Sequence, residues 1–169
     1  MEIAIALGSN LGDRLRNLRS AVDALLPHLV AGSRIEKSPV YQTDPVDCPP
    51  EAAPFYNAVI IVDFAGSVVE MLNIVQEIER QGGRPGVSDR AINAPRPIDL
   101  DLLYAGDLML DMEQLILPHP RLHLRRFVLV PLVHLRPDRI LPGYSIPLKA
   151  VLDSLQSDEP PLDWVTDDW

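Results

Sequence analysis

Asn93-Ala94-Pro95-Arg96-Pro97-Ile98-Asp99-Leu100-Asp101-Leu102-Leu103-Tyr104 is a proline-bounded turn that runs into an apolar segment broken only by two aspartates. In an extended chain successive side chains alternate, so Ile98, Leu100 and Leu102 share one face while Asp99 and Asp101 share the other. The segment is a strand with a core face and a face carrying two carboxylates. Their Cβ atoms are expected about 7 Å apart, the pleat repeat, near enough to share one hard cation or hold two neighbouring ones. Arg96 stands at the mouth of the pair. A guanidinium binds phosphate bidentately, and magnesium completes its oxygen shell with substrate phosphates. A bare Asp-x-Asp also fits a solvated acidic strand face, so the surrounding chain has to decide.

Working outward, residues 84–97 carry Pro85, Gly86, Pro95 and Pro97 and show no periodicity. A loop that long between regular elements points to function. Before it, Ser67-Val68-Val69-Glu70 is a capping box, and Val68, Met71, Leu72, Val75 and Ile78 form the buried stripe of a helix ending at Gly82-Gly83. Glu79 lies in that helix's last turn, where a carboxylate opposes the dipole and needs solvent, a cation or a hydrogen-bond donor; Arg84 is the near candidate.

At the N-terminus Ile3, Ile5 and Leu7 alternate as a first strand, which Gly8-Ser9-Asn10-Leu11-Gly12-Asp13 interrupts. Leu15, Leu18, Val22, Leu25 and Leu29 then mark a core helix. Residues 32–43 read as an edge strand stopped at Pro45, residues 44–54 as a proline-rich surface loop, and residues 55–64 as the next strand. Asn57 is the polar exception within that apolar strand, and it serves either a backbone hydrogen bond or recognition of a heterocycle.

After the aspartates, Ala105-Gly106-Asp107 turns into residues 108–110, read as a hairpin partner. His119 is held between Pro118 and Pro120, with Arg125 a few residues on. Residues 127–135 read as a short helix interrupted at Pro131, and residues 148–155 as another. The order β-α-β-β-α-β predicts an α+β, ferredoxin-like two-layer sandwich, helices on one face of an antiparallel sheet, with C-terminal helical additions.

With 169 residues and 47% hydrophobic content the chain is expected to form one domain over residues 1–169, with an acidic tail at about 156–169. No apolar run reaches the roughly 18 residues of a membrane span, and the start lacks a signal-peptide pattern, so a cytoplasmic protein is expected. Cys48 has no partner and no metal-ligand spacing. The net charge of −9 argues against a nucleic-acid surface. The last twenty residues hold six acids and no lysine or arginine, so the body is nearly balanced. Seven of the fifteen cations, all arginines, fall between Arg80 and Arg126, the window that holds the aspartate pair, which suits a polyphosphate site. The Walker pattern Gly-x-x-x-x-Gly-Lys-[Ser/Thr] is absent, which removes the commonest nucleotide-binding alternative.

Taken together, five ordered motifs resemble the 6-hydroxymethyl-7,8-dihydropterin pyrophosphokinases of folate biosynthesis. They are Leu7-Gly8-Ser9-Asn10-Leu11-Gly12-Asp13, Tyr41-Gln42-Thr43-Asp44-Pro45, Phe55-Tyr56-Asn57, Pro95-Arg96-Pro97-Ile98-Asp99-Leu100-Asp101-Leu102-Leu103, and Leu117-Pro118-His119-Pro120-Arg121 with Arg125-Arg126-Phe127. The resemblance implies transfer of pyrophosphate from ATP to a pterin alcohol with release of AMP. It implies that Asp99 and Asp101 hold two magnesium ions, that Arg84, Arg96, His119 and Arg125 contact the polyphosphate, and that Arg84 and Arg96 belong with the aspartates to the catalytic group. Phe127 would stack on the pterin and Asn57 read its amide edge. Thr43, Asp44, Val46 and Phe55 would supply backbone groups and walls, with Glu79 beside them. Two departures from the family's pattern are that Asn93 stands where a tryptophan is common and Gly86 where a second arginine is. The loop at 84–94 is expected to close over the substrates and bring in Arg90. Expected partners are ATP and the pterin alcohol, with no nucleic acid, no membrane and a monomeric chain. The rival readings are a metal-dependent phosphodiesterase and a non-catalytic ligand-sensing module.

Overall fold

Glu2 to Ser9 are extended because apolar side chains fall on both sides of the chain: Ile3, Ile5 and Leu7 on one face and Ala4 on the other are all buried. Such a strand belongs in the middle of a sheet with both faces covered. The computed structural model describes residues 1–44, 53–83, 96–156 and 161–169. In chain order these form β1 (Glu2–Ser9), α1 (Arg14–Leu25), β2 (Glu36–Lys37), β3 (Val40–Thr43), β4 (Phe55–Asp63), α2 (Val68–Gln81), β5 (Asp99–Ala105), β6 (Leu110–Met112), β7 (Leu115–Leu117), α3 (Arg126–Leu135), α4 (Leu148–Ser154) and β8 (Asp163–Thr166).

The main sheet runs β5-β1-β4-β3-β8, with the two-residue β2 pairing β4. Every pairing is antiparallel. The first four strands of that order, with α1 and α2, make the expected ferredoxin-like arrangement. Helices α1 and α2 pack on the face carrying Ile3, Ile5, Leu7, Ile60 and Leu102. On the opposite face Ala4, Val59, Ile61, Leu103 and Tyr104 meet Leu129, Leu132, Leu148 and Val151 of the two C-terminal helices. The helical additions therefore form a further layer.

Local signals hold where they were strongest. The capping box is complete: the Glu70 amide donates to Ser67 Oγ at 3.2 Å, and the Ser67 amide donates to the Glu70 carboxylate at 2.6 Å. Helix α2 ends at Gly82, where an added Cβ would come within 2.7 Å of Ile98 Cγ2. Glycine lets the helix end close against the residue that leads into β5.

Long-range pairings differ from three expectations. Strand β3 is not an edge, because β8 from the acidic C-terminal stretch pairs outside it. Trp169 is buried and its indole N–H donates to Ser38 O at 2.8 Å, so burial of one aromatic ring docks the end of the acidic tail. The hairpin partner of β6 is β7, not β5. Helix α3 continues through Pro131, because Val128, Leu129 and Leu132 pack on the sheet and outweigh the one lost backbone bond.

Candidate active site

Strand β5 brings Asp99 and Asp101 to one face of the sheet. Its register pairs Asp99 with Gly8 and Asp101 with Ala6, two positions apart on β1, so both carboxylates point the same way. Leu100 and Leu102 lie on the other face, in the core under α1 and α2, as alternation requires. Gly8 is also paired with Asn57, and Asn57 with Tyr41. One cross-strand row therefore reads Tyr41, Asn57, Gly8, Asp99.

The glycine in that row matters. A Cβ built on Gly8 would sit 3.3 Å from Asn57 Oδ1, 3.8 Å from Phe55 Cδ1 and 3.9 Å from Asp99 Cβ. Leaving it out opens a cradle between the amide of Asn57 and the carboxylate of Asp99. Asn57 is buried and donates from Nδ2 to Thr43 Oγ1 at 2.7 Å, which orients its amide plane. Phe55 and Thr43 are cross-strand partners at the end of the same two strands, and Asp44 follows, exposed.

Two arginines flank the carboxylates. Arg96 Nη2 lies 2.7 Å from Asp99 Oδ2, and Arg125 Nη1 lies 3.5 Å from Asp101 Oδ2. Arg125 also sits over the Phe127 ring, 5.6 Å from its centroid, so one guanidinium touches both the acidic pair and the first turn of α3. Burial lowers the pKa of Arg125, and the Asp101 carboxylate works against that shift. The pair offers hard oxygen donors on one face. Among the described residues no group of three or more His, Cys, Asp or Glu comes together for a metal.

The start of this strand is held by polar contacts from two buried side chains that the motifs did not announce. Asn10, buried, accepts the Arg96 backbone N–H on Oδ1 at 2.9 Å, and its own backbone N–H donates to Arg96 O at 3.3 Å. Glu79, also buried, accepts the Leu100 amide at 2.8 Å on the edge of β5 that faces away from β1. Of the partners expected for this carboxylate (solvent, a cation or a hydrogen-bond donor), the structure supplies a donor, the backbone of the aspartate strand itself. Further along, the His119 amide donates to Leu103 O at 2.8 Å. Leu103 is the bulged residue where the β1–β5 register shifts.

That bond lays His119 along β5, and the ring's tautomer follows from its other partner. The Arg121 amide donates to His119 Nδ1 at 3.1 Å, so Nδ1 is an acceptor and the proton of the neutral ring sits on Nε2. Burial is the main cause lowering its pKa, with Asp101 opposing and Arg125 and Arg121 reinforcing. Nitrogen-15 NMR is expected to show the neutral form as the Nε2–H tautomer, with less than half of the ring protonated at pH 6.5, where an unperturbed imidazole is about half protonated. A half-charged ring at that pH, or a proton on Nδ1, contradicts the geometry. Arg121, close enough to act on both His119 and Arg125, stands inside one of the quoted motifs but has no role assigned there, because its spacing alone does not show which groups it faces.

Of the residues expected at the site, Thr43, Asp44, Phe55, Asn57, Glu79, Arg96, Asp99, Asp101, His119, Arg125 and Phe127 are described. Val46, Arg84 and Arg90, and with them the closing loop at 84–94, lie outside the described residues.

With this geometry in view, residues 4–137 match the family model of 7,8-dihydro-6-hydroxymethylpterin-pyrophosphokinase. The chain is 41% identical over 132 residues to the 2-amino-4-hydroxy-6-hydroxymethyldihydropteridine pyrophosphokinase of Bacillus subtilis, covering 78% of this chain and 75% of that one. It is 36% identical over 146 residues to the protein of the same name in Pseudomonas aeruginosa, covering 86% and 87%. It is also 34% identical over 154 residues to the folic acid synthesis protein fol1 of Schizosaccharomyces pombe, covering 90% of this chain but only 20% of that protein. Among solved structures, the wild-type HPPK-DHPS of Plasmodium falciparum with pteroate superposes with a TM-score of 0.66 at 14% identity, over 90% of this chain and 42% of that one. That last likeness is one of fold.

Proposed function

Because the chain belongs to the 7,8-dihydro-6-hydroxymethylpterin-pyrophosphokinase family, we propose that it transfers the pyrophosphoryl group of ATP to the hydroxymethyl oxygen of 6-hydroxymethyl-7,8-dihydropterin, releasing AMP. The observation that carries this reading is the cross-strand row in which the Gly8 cradle separates Asn57 from Asp99, with Arg96 and Arg125 on the two aspartates. It sets a heterocycle-reading amide next to a polyphosphate-binding cluster on a single sheet face.

We assign Asp99 and Asp101 as the protein ligands of two magnesium ions. The donors fit: two hard carboxylates on one face, beside a glycine that leaves room. Bound there, magnesium neutralises phosphate oxygens and offsets the repulsion between a triphosphate and the two aspartates. The protein's own groups supply the rest. Arg96 and Arg125 place positive charge where negative charge spreads over the transferring group, and His119, its Nδ1 occupied by the Arg121 amide, donates its Nε2–H to a phosphate oxygen. Asn57, held by Thr43, orients the pterin, with Phe55 and Phe127 as apolar walls. The new oxygen–phosphorus bond forms at the β-phosphorus as its bond to the AMP oxygen breaks, and the alcohol proton leaves to solvent. Arg84, Val46, Asp44 and Glu79 keep the ATP- and pterin-site roles that the family resemblance implies, and Arg90 keeps the role of a cation brought in by the loop at 84–94. We further propose that residues 1–169 act as one cytoplasmic, monomeric unit, in keeping with a sheet whose strands come from both ends of the chain.

Incubation with ATP, magnesium and the pterin alcohol tests the assignment. AMP and the pterin diphosphate are expected in equal amounts. ADP with phosphate, or no nucleotide turnover, refutes it, and hydrolysis of a phosphodiester in place of transfer favours the phosphodiesterase alternative.

Asn57→Ala and Phe127→Ala are expected to raise the pterin KM more than the ATP KM. Losing a buried hydrogen-bonding partner costs about 1–3 kcal/mol, which corresponds to roughly fivefold to over a hundredfold in affinity. Steady-state kinetics with each substrate varied in turn checks this. Equal effects on both substrates remove these residues from the pterin end.

A further inference from the structure

We propose that Arg14 is a positioning residue for the pterin end of the site, acting from the back of the sheet. The inference rests on the assignment of Thr43, Phe55 and Asn57 to that end. Arg14 is the first residue of α1, on the face opposite the cross-strand row. Its Nη1 donates to Pro54 O at 2.7 Å and to Gln42 Oε1 at 3.4 Å, and its guanidinium carbon lies 3.8 Å from the centroid of the Tyr56 ring.

Each of these partners is a chain neighbour of a pocket residue. Pro54 precedes Phe55, Tyr56 separates Phe55 from Asn57, and Gln42 precedes Thr43. Side chains alternate along a strand, so a group that grips Gln42 and Tyr56 from behind leaves Thr43, Phe55 and Asn57 facing forward. The pairing of β3 with β4 consists of Tyr41 with Asn57, Gln42 with Tyr56 and Thr43 with Phe55. Arg14 bridges both members of the middle pair. The hydrogen bond from Asn57 to Thr43 crosses these same two strands, so any slip of β3 against β4 rotates the amide that reads the pterin. A planar guanidinium can donate in its own plane while its face stacks on the ring; a lysine ammonium can take one role but not both.

Steady-state kinetics and thermal melts on the full chain test this with Arg14→Ala, Arg14→Lys and, as reference, Asn57→Ala. Arg14→Ala is expected to raise the pterin KM roughly tenfold while the ATP KM stays within about twofold, because the lost support lies at one end of the site only. Arg14→Lys is expected to fall between wild type and alanine, and it carries the test by itself if the alanine variant does not fold. An unchanged pterin KM, or parallel changes in both KM values with a lowered melting temperature, overturns the proposal. Asn57→Ala separates two kinds of failure. If it raises the pterin KM and Arg14→Ala does not, Arg14 has no positioning role. If Asn57→Ala also leaves that KM unchanged, the pterin end itself is misassigned and the proposal falls with it.

Discussion

Asp99→Asn and Asp101→Asn are each expected to lower turnover by about three orders of magnitude or more if the pair holds metal as proposed, because metal charge lost at the phosphates would fall directly on the transition state. Folding should survive both changes. Asparagine keeps an oxygen in place and nearly the same volume, and a partly exposed polar swap on a strand costs on the order of 1 kcal/mol or less. The two variants should differ in stability. The side chain of Asp99 is 17% exposed and its contact with Arg96 is 2.7 Å, whereas that of Asp101 is 41% exposed and its contact with Arg125 is 3.5 Å. Asp99→Asn strips the closer partner from a half-buried guanidinium and is the more destabilising of the two. Turnover measured beside a thermal melt and a manganese-binding titration decides the matter: near-wild-type turnover in either variant removes that aspartate from the site.

Arg96→Ala is expected to reduce kcat/KM by roughly a hundredfold to a thousandfold or more, the scale seen when one preorganised donor to a developing anion is removed. Preorganisation is visible at both ends of this residue. Asn10 grips its backbone through the amide and the carbonyl, and Asp99 takes its Nη2. A planar fork held on one nitrogen by a carboxylate still presents its remaining donors in a set direction, which a flexible ammonium cannot do. Arg96→Lys should therefore recover only a small part of the loss. Asn10→Ala should reproduce a fraction of the defect without touching the guanidinium. Single-turnover rates with saturating ATP separate this from weaker binding, and a lysine variant as fast as wild type would show that charge alone suffices.

The legible parts of this protein share one property: their signals are local. Alternation in Ile98, Asp99, Leu100, Asp101 and Leu102 assigns two faces whatever strand lies alongside, and the structure keeps that assignment. The Ser67 to Glu70 box and the apolar stripe that follows it need only three or four residues of context to start a helix. The misread parts needed information from far along the chain. Whether residues 40–43 form an edge depends on residues 163–166. Whether residues 110–112 pair with β5 or β7 depends on a turn that alternation does not encode. Pro131 is tolerated because of sheet packing that no helix propensity records.

The site divides along the same line. Its residue types were readable, because two carboxylates at i and i+2, an arginine beside them and a histidine between prolines are choices of residue type within short spans. Its geometry was not. Gly8 becomes a cradle only when β1 lies between Asn57 and Asp99, and Asn10 becomes the anchor of Arg96 across 86 residues of chain. Glu79 turned out to accept the amide of Leu100, between the two aspartates, and Arg14 to donate to the carbonyl of Pro54 just before β4. By itself the sequence determined which faces are apolar and which groups carry charge, because those are properties of residues and their neighbours. Tertiary structure alone decided which of those groups stand within hydrogen-bond reach, because strand order and register are set by the burial of whole faces, and no single stretch contains that sum.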